Sequence, residues 1–374
     1  MAPPSPAGST ASPAGRPDTR ATAPRRLAAL ARPTAITLLL ALAIVATLAA
    51  VIAASGLDVA AAFGALVRGA VGSPYAILSA TLVRATPLII TGLAVAVAFQ
   101  GGILNIGAEG QLLAGAAVAT AIAVTGGAAL GSAALPLGLG GAAVAGGLWA
   151  AIPMWLRRRF GVLEVITTIM MNFIALYAVG WLVRGALQEP THIYPQSAPV
   201  PGAARLPLLV GGHRLHAGFP LALLLCAAAW HVVRRTAAGF RLRVVGANPA
   251  AAASAGQVDV GKVTARVFLA SGALAGVAGG VEVFGVTYAL YENLSPGYGY
   301  TAIAGALLAG LNPGFVVLSG IFLGALAAGA AAMQREASVP LVLVSVIEAL
   351  IILAIVGGRV LVARRRPAPS EAAG

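Results

Sequence analysis

Long apolar runs recur along the chain, separated by short stretches rich in glycine, proline and arginine. A helix needs about twenty predominantly apolar residues to cross a bilayer. On that measure the pattern predicts ten spans, at 34–54, 77–98, 103–125, 131–153, 164–183, 218–233, 263–284, 300–312, 314–333 and 339–356. The eighth is too short for a simple spanning helix and reads as a half-helix or a segment with displaced ends. The first run exceeds a signal-peptide core of about 7–15 residues, so it reads as an uncleaved span. The predicted fold class is therefore an all-α polytopic membrane protein with a transmembrane domain over 34–358. Residues 1–33, rich in Pro, Ala, Ser, Thr and Arg without an apolar period, read as a disordered cytoplasmic tail, and 359–374 as a second tail.

Two connections stand out. The segment 184–217 carries Pro190, Pro195, Pro199, Pro201 and Pro207, which excludes a long helix and predicts an irregular outer loop. The segment 234–262 is basic and alanine-rich, and predicts short helices on the cytoplasmic surface. A weak repeat also shows. Gly92–Ala116 reads as a span, a polar break from Gln100 to Gln111, then a Gly/Ala helix; Gly276–Ala309 reads likewise, with its break between Tyr291 and Tyr300. Five spans separate the copies, so as a true repeat they form inverted five-helix halves, an arrangement whose breaks mark the substrate path in transporters. Chance likeness between Gly/Ala-rich membrane segments is the alternative.

Composition sharpens this picture. Of 374 residues 59% are hydrophobic and only 9% charged, with a mean hydropathy of +0.92. A soluble domain carries about a quarter charged residues, so lipid must be the main solvent here. The net charge of +13 lies at span ends, not interleaved with aromatics, which speaks against nucleic acid as a partner. Lys and Arg number 18 in the segments assigned inside against 5 outside, which predicts both termini in the cytoplasm and a multi-pass protein of the plasma membrane. Cys226 is the only cysteine, so no disulfide framework or thiolate metal cluster is available, and the four histidines lack zinc spacing.

The sharpest chemical feature is Asn105-Ile106-Gly107-Ala108-Glu109-Gly110-Gln111, where polar side chains and glycines interrupt an apolar stretch. Polar groups at membrane depth are costly unless they face protein or water. The run is either a substrate-path element or a turn in which Glu109 caps the next helix. Glu164, Thr168 and Asn172 recur every four residues and share one helical face; Asn172 serves as glue between helices or as a path lining. Arg84 and Glu282 lie within or near the ends of apolar runs and are either functional groups at depth or side chains that snorkel to an interface. Glu348 falls near the middle of the last predicted span, where an ionisable group is a functional candidate. Gly256–Lys262 matches seven positions of a Walker A loop, but Val263 stands where Ser or Thr should hold Mg²⁺ and no α/β context surrounds it. Nucleotide binding by this chain is rejected, as is any catalytic set.

Three stretches together resemble ABC-importer permeases of the branched-chain amino acid, simple sugar and nucleoside group: Ala85–Ala94 running on through Phe99 into Asn105–Gln111; Glu164–Asn172; and Arg243–Pro249 continuing through Gly256 to Ser271–Gly276. The likeness covers most of 75–356 and is nearest to permeases that work with lipoprotein receptors for nucleosides, although Leu163 stands where an Asn is expected. The resemblance implies a non-enzymatic translocation subunit that binds no cofactor itself. ATP and Mg²⁺ sit on a separate ATPase chain, a second related permease completes the pore as a heterodimer, and an extracellular or lipoprotein receptor delivers solute. It also implies that Gly239–Gly256 docks on the ATPase, with Arg243, Gly246, Asn248, Pro249 and Gly256 in the coupling element. The substrate path falls on Asn105, Glu109, Gln111, Thr168, Asn172 and Glu348. A sugar permease, or an ion-coupled transporter using Glu348 or Glu109 for protons, are the rival readings.

Overall fold

The computed structural model describes residues 42–357 except 44, 255, 257, 341, 344, 347, 348, 351, 352 and 354–356. Its helices are α1 (Val45–Ala54), α2 (Val59–Val71), α3 (Ala76–Gln100), α4 (Ala108–Leu130), α5 (Ala134–Phe160) and α6 (Glu164–Val183). They continue with α7 (Gly218–Arg235), α8 (Ala237–Ala247), α9 (Pro249–Ser254), α10 (Val260–Thr287), α11 (Tyr298–Leu308) and α12 (Pro313–Glu336). The first turns of α3 (Ala76–Thr81) and the last of α10 (Val283–Thr287) are π-helical. Among the described residues there are isolated β-bridges but no named strands.

Six helices, α3, α4, α5, α6, α10 and α12, are long and apolar enough to cross a membrane, and α7 with α8 adds a seventh if that pair, bent by 76°, is one span. The ten-span expectation is not reproduced, for identifiable reasons. The eighth predicted span is the 11-residue α11, about 16 Å long at 1.5 Å per residue, which makes it a half-helix. The first and last predicted spans lie partly outside the described residues. The sequence pattern also missed α2. Asp58 N-caps it, with Oδ1 accepting from Ala60 N at 2.8 Å, and it packs on α12 where Gly329 and Gly69 allow close approach. An exposed Arg68–Glu336 ion pair at 3.0 Å ties the two helices at that contact.

Glycine sets how closely the central helices approach. Gly115 of α4, Gly146 of α5 and Gly276 of α10 pack backbone to backbone, and a Cβ on any of them would overlap a neighbouring main chain. Small residues at such contacts replace the hydrophobic driving force that lipid removes. The helices α3 and α10 run antiparallel: Gly101 meets Val267, while the Ala94 carbonyl accepts from Ser271 Oγ at 2.7 Å. The two segments of the predicted repeat are thus oriented oppositely at their spans.

The two ends of the bundle are built differently. At one end the irregular 184–217 segment lies over α10 and the chain after it, through Val200 N to Tyr288 O (2.8 Å), Leu206 N to Phe284 O (2.9 Å) and a bidentate Arg184–Glu292 pair (2.7 and 2.6 Å). At the other end α8 and α9 form a helix–turn–helix. Thr236 caps α8 at Gly239 N (3.2 Å), and Asn248 caps α9 at Ala251 N (3.0 Å) with Pro249 opening the helix. That is the turn chemistry an Asn-Pro pair encodes.

The N-terminus of α6 shows the cost of an unusual residue. Leu163 occupies the N-cap position and offers no side-chain cap. Asparagine there would accept from the first-turn amides, so Leu163→Asn is expected to stabilise the protein by about 1 kcal/mol. Thermal unfolding in detergent measures it, and an unchanged midpoint counts against the capping argument.

Candidate functional site: two chain breaks that meet

The two breaks identified in the sequence touch each other inside the bundle. After Gln100 the chain runs non-helically through 101–107 before α4 begins; after Thr287 it runs through 288–297 before α11 begins. Both α4 and α11 start at a glycine, Gly107 and Gly297, that provides no side-chain cap. The first amides of a helix have no intrahelical acceptor, so here their partners come from other parts of the chain. Asn172 Oδ1 accepts from Gly110 N at 2.8 Å, capping α4 from α6. Glu109 Oε2 accepts from Gly299 N at 2.6 Å, capping α11 from α4. Glu109 thus caps across to the second break and not its own helix, which differs from the simple turn considered above.

The amides complete the crossing. Asn172 Nδ2 donates to the Ile106 carbonyl (3.0 Å) and to Tyr300 Oη (3.2 Å), so one side chain holds both breaks. Asn172 is eight residues past Glu164, about 12 Å along the axis, well inside the helix. Asn105 is fully satisfied: Nδ2 donates to Gln111 Oε1 (2.9 Å) and Ser271 Oγ (2.8 Å), while Oδ1 accepts from Gln111 Nε2 (3.1 Å) and Gly107 N (3.0 Å). Asn105, Glu109, Gln111, Thr168 and Asn172 are all buried. Thr168 gives its hydroxyl to the Glu164 carbonyl (2.7 Å), and its Cβ packs against Gly107. Glu164 itself leaves that face to pair with Arg157 at 3.0 Å. Five of the six expected path residues are therefore brought together, and Glu348 lies outside the described residues. In this conformation the amides are engaged with protein.

Sequence reading missed Ser271 and Gly299 as parts of the crossing. Each is a small residue in Gly/Ala-rich sequence whose role depends on a contact far along the chain. Glu282 does not snorkel. It is 2% exposed, beside the Tyr298 hydroxyl at the start of α11 and facing Arg84. A groove of about 330 Å³ between α4, α5 and α6 is lined by Ala114, Ala117, Leu148, Trp149, Ala175 and Leu182 and offers little to a polar solute.

The residues expected in the coupling element gather at the opposite end from 184–217. Gly246 seats α8 on Gln100–Gly102, Asn248 and Pro249 form the α8–α9 turn, and Gly256 follows it with φ +68°. Arg243 is half-buried on α8. Beyond Gly256, Asp259 caps α10 at Lys262 N (2.9 Å) and pairs with the Lys262 ammonium (3.1 Å). That backbone hydrogen bond, with the adjacent ammonium, holds the Asp259 carboxyl below its ordinary range. A helix rather than a buried strand precedes this Walker-like run, as its rejection requires.

The family profile described as branched-chain amino acid transport system permease component matches residues 77–356. A guanosine ABC transporter permease protein of Bacillus subtilis, NupP, is 42% identical over 305 residues, covering 80% of this chain and 86% of its own. A glucose ABC transporter permease protein of Haloferax volcanii, TsgB13, is 40% identical over 287 residues, covering 74% and 75% respectively. A second guanosine ABC transporter permease protein of B. subtilis, NupQ, is 29% identical over 256 residues, covering 66% and 79%. No solved structure matches the chain. With two interrupted helices crossing in a bundle of apolar spans and a family match over most of its length, the chain belongs to the branched-chain amino acid transport system permease family and is a membrane-embedded translocation subunit of an ABC transporter.

Proposed function

We propose that this chain imports nucleosides by alternating access, with the crossing of the two breaks as the point the solute must pass. The observation that carries the reading is the uncharged hydrogen-bonding set of Asn105, Gln111 and Asn172 where the N-termini of α4 and α11 meet. Amides match the donors and acceptors of a neutral base or ribose, and the similarity to NupP favours that class. In the closed arrangement the amides hold the breaks together. On opening they exchange protein partners for solute, with Glu109 and Thr168 beside them, and Glu348 is assigned to the same path.

The free energy comes from a partner. An ATPase chain carrying ATP and Mg²⁺ docks on Gly239–Gly256, with Arg243, Gly246, Asn248, Pro249 and Gly256 shaping the docking element. An extracellular or lipoprotein receptor delivers solute to the 184–217 end. That orientation puts both termini in the cytoplasm and agrees with the excess of Lys and Arg on the α8 side. A second, related permease completes the pore; the naming of both NupP and NupQ as guanosine permeases in one organism supports a pair of unlike subunits.

Uptake of labelled guanosine, other nucleosides, ribose and glucose in cells with and without the gene tests the substrate. Nucleoside uptake lost with sugars spared is the expected result. Sugar uptake lost with nucleosides spared establishes the second reading, which the similarity to TsgB13 favours. Uptake must also survive collapse of the proton gradient and stop on ATP depletion. The reverse pattern would overturn ATP-driven transport.

A further inference from the structure

We propose that Gln100, with Gly246 seated on it, is the positioning residue that transmits movement of α8 to both broken helices at once. The inference rests on the reading above that α8 and α9 receive the ATPase. Gln100 ends α3, and its carbonyl lies so close to Gly246 that a Cβ on Gly246 would overlap it. Gly102, with φ +75°, packs on the same glycine and opens the break that leads into α4. The Gln100 side chain turns the other way, and its Nε2 donates to the carbonyl of Leu311 just past the end of α11.

These contacts close a ring. Gly246 bears on Gln100; Gln100 holds the Leu311 end of α11; the other end of α11 is held by Glu109 through Gly299 N; and Glu109 returns through 101–108 to Gly102 and Gly246. The helix α11 is the strut of the ring, fixed at both ends. Displacing α8 therefore cannot move the α4 break without also moving α11.

Two further features mark the joint. Leu311 has φ +60°, the left-handed region that a bulky side chain avoids, directly after Gly310 at φ +61°. Gln100 Oε1 is buried without a hydrogen-bond partner among the described residues. An orphaned buried acceptor beside a strained residue is a poor solution for a static contact. It suits a joint that has a second arrangement in which the acceptor is paired.

The test uses the assembled complex of this chain with its ATPase and permease partners, in membranes, with a cysteine reporter on the strut (Thr301→Cys in a Cys226→Ala background). Maleimide labelling of the reporter is compared with and without ATP and vanadate, a readout that needs no knowledge of the solute. With Gln100 intact the rate is expected to change by about tenfold, as when a state populated at about 10% becomes dominant. With Gln100→Met the ATPase still co-purifies and the thermal midpoint is unchanged, but the ATP-dependent change is lost. Leu311→Gly keeps the carbonyl and keeps the response. A full tenfold response in Gln100→Met overturns the proposal. Failure of the docking reading shows separately, as ATPase co-purification that survives Arg243→Glu with Pro249→Gly.

Discussion

Replacing Asn172 with Leu is expected to abolish solute uptake while the chain still reaches the membrane and still co-purifies with its ATPase. Asn172 accepts from Gly110 N at 2.8 Å and donates to the Ile106 carbonyl at 3.0 Å and Tyr300 Oη at 3.2 Å. Leucine has similar volume and a better affinity for lipid, but it satisfies none of the three. Each buried group left without a partner costs about 1–3 kcal/mol. Three such groups sum to about 3–9 kcal/mol against the 5–15 kcal/mol by which a domain is typically stable, so the folded fraction is measured beside uptake, and the bundle survives at the lower end of that cost. What does not survive is the alignment of the two breaks, because α4 loses the acceptor that caps it. Asn172→Asp is the informative contrast: it keeps an acceptor for Gly110 N but removes both donors. Uptake is expected to fall less than with Leu. Normal uptake by Asn172→Leu would remove the crossing from the transport path.

Replacing Gly276 with Leu is expected to leave no folded protein at all. Its α-carbon faces Ala142 and Gly146 of α5, and any Cβ would overlap the Ala142 carbonyl oxygen; Gly115 of α4 presses on its main chain from another side. A substituent there cannot be relieved by rotating a side chain, because the atoms it meets are backbone. Two helices must separate, which forfeits packing along both and costs more than about 4 kcal/mol, the range reserved for severe core damage. Gly140→Leu is the control. It lies on the same helix as Gly146, but a Cβ there meets nothing within 4 Å. Recovery of monodisperse protein in detergent separates the two, and equal yields would show that the glycine contacts are not what holds α4, α5 and α10 together.

Much of the architecture was readable from residues in order. The uniform apolarity of the spans, the arginines at their ends and the interruption at Asn105–Gln111 follow from what lipid tolerates, and lipid acts on each segment locally. The Asn248-Pro249 turn is equally local: a cap and a proline within one dipeptide. Even the half-length of α11 was signalled, because 300–312 is too short to span.

The rest depended on contacts that no local pattern carries. The helix α2 escaped because it is short and stands by packing on α12, on α1 and on the start of α3. Snorkelling stayed open for Glu282 because sequence gives distance from a span end, not which face the side chain takes; in a helix apolar all round, no amphipathic stripe marks the interior. The amides at 105, 111 and 172 stood out as polar residues at depth, but whether they hold helices or line a path turns on their partners, and those lie up to 166 residues away. As a cap, Glu109 was assigned to its own helix, while its carboxylate caps a helix 190 residues further on. The sequence by itself determined that this chain lives in lipid and where its apolar runs are interrupted, since those follow from transfer of each segment out of water. Only the tertiary structure decided that the two interruptions meet and cap one another, because a helix N-terminus buried away from water takes whichever acceptor the packing brings to it.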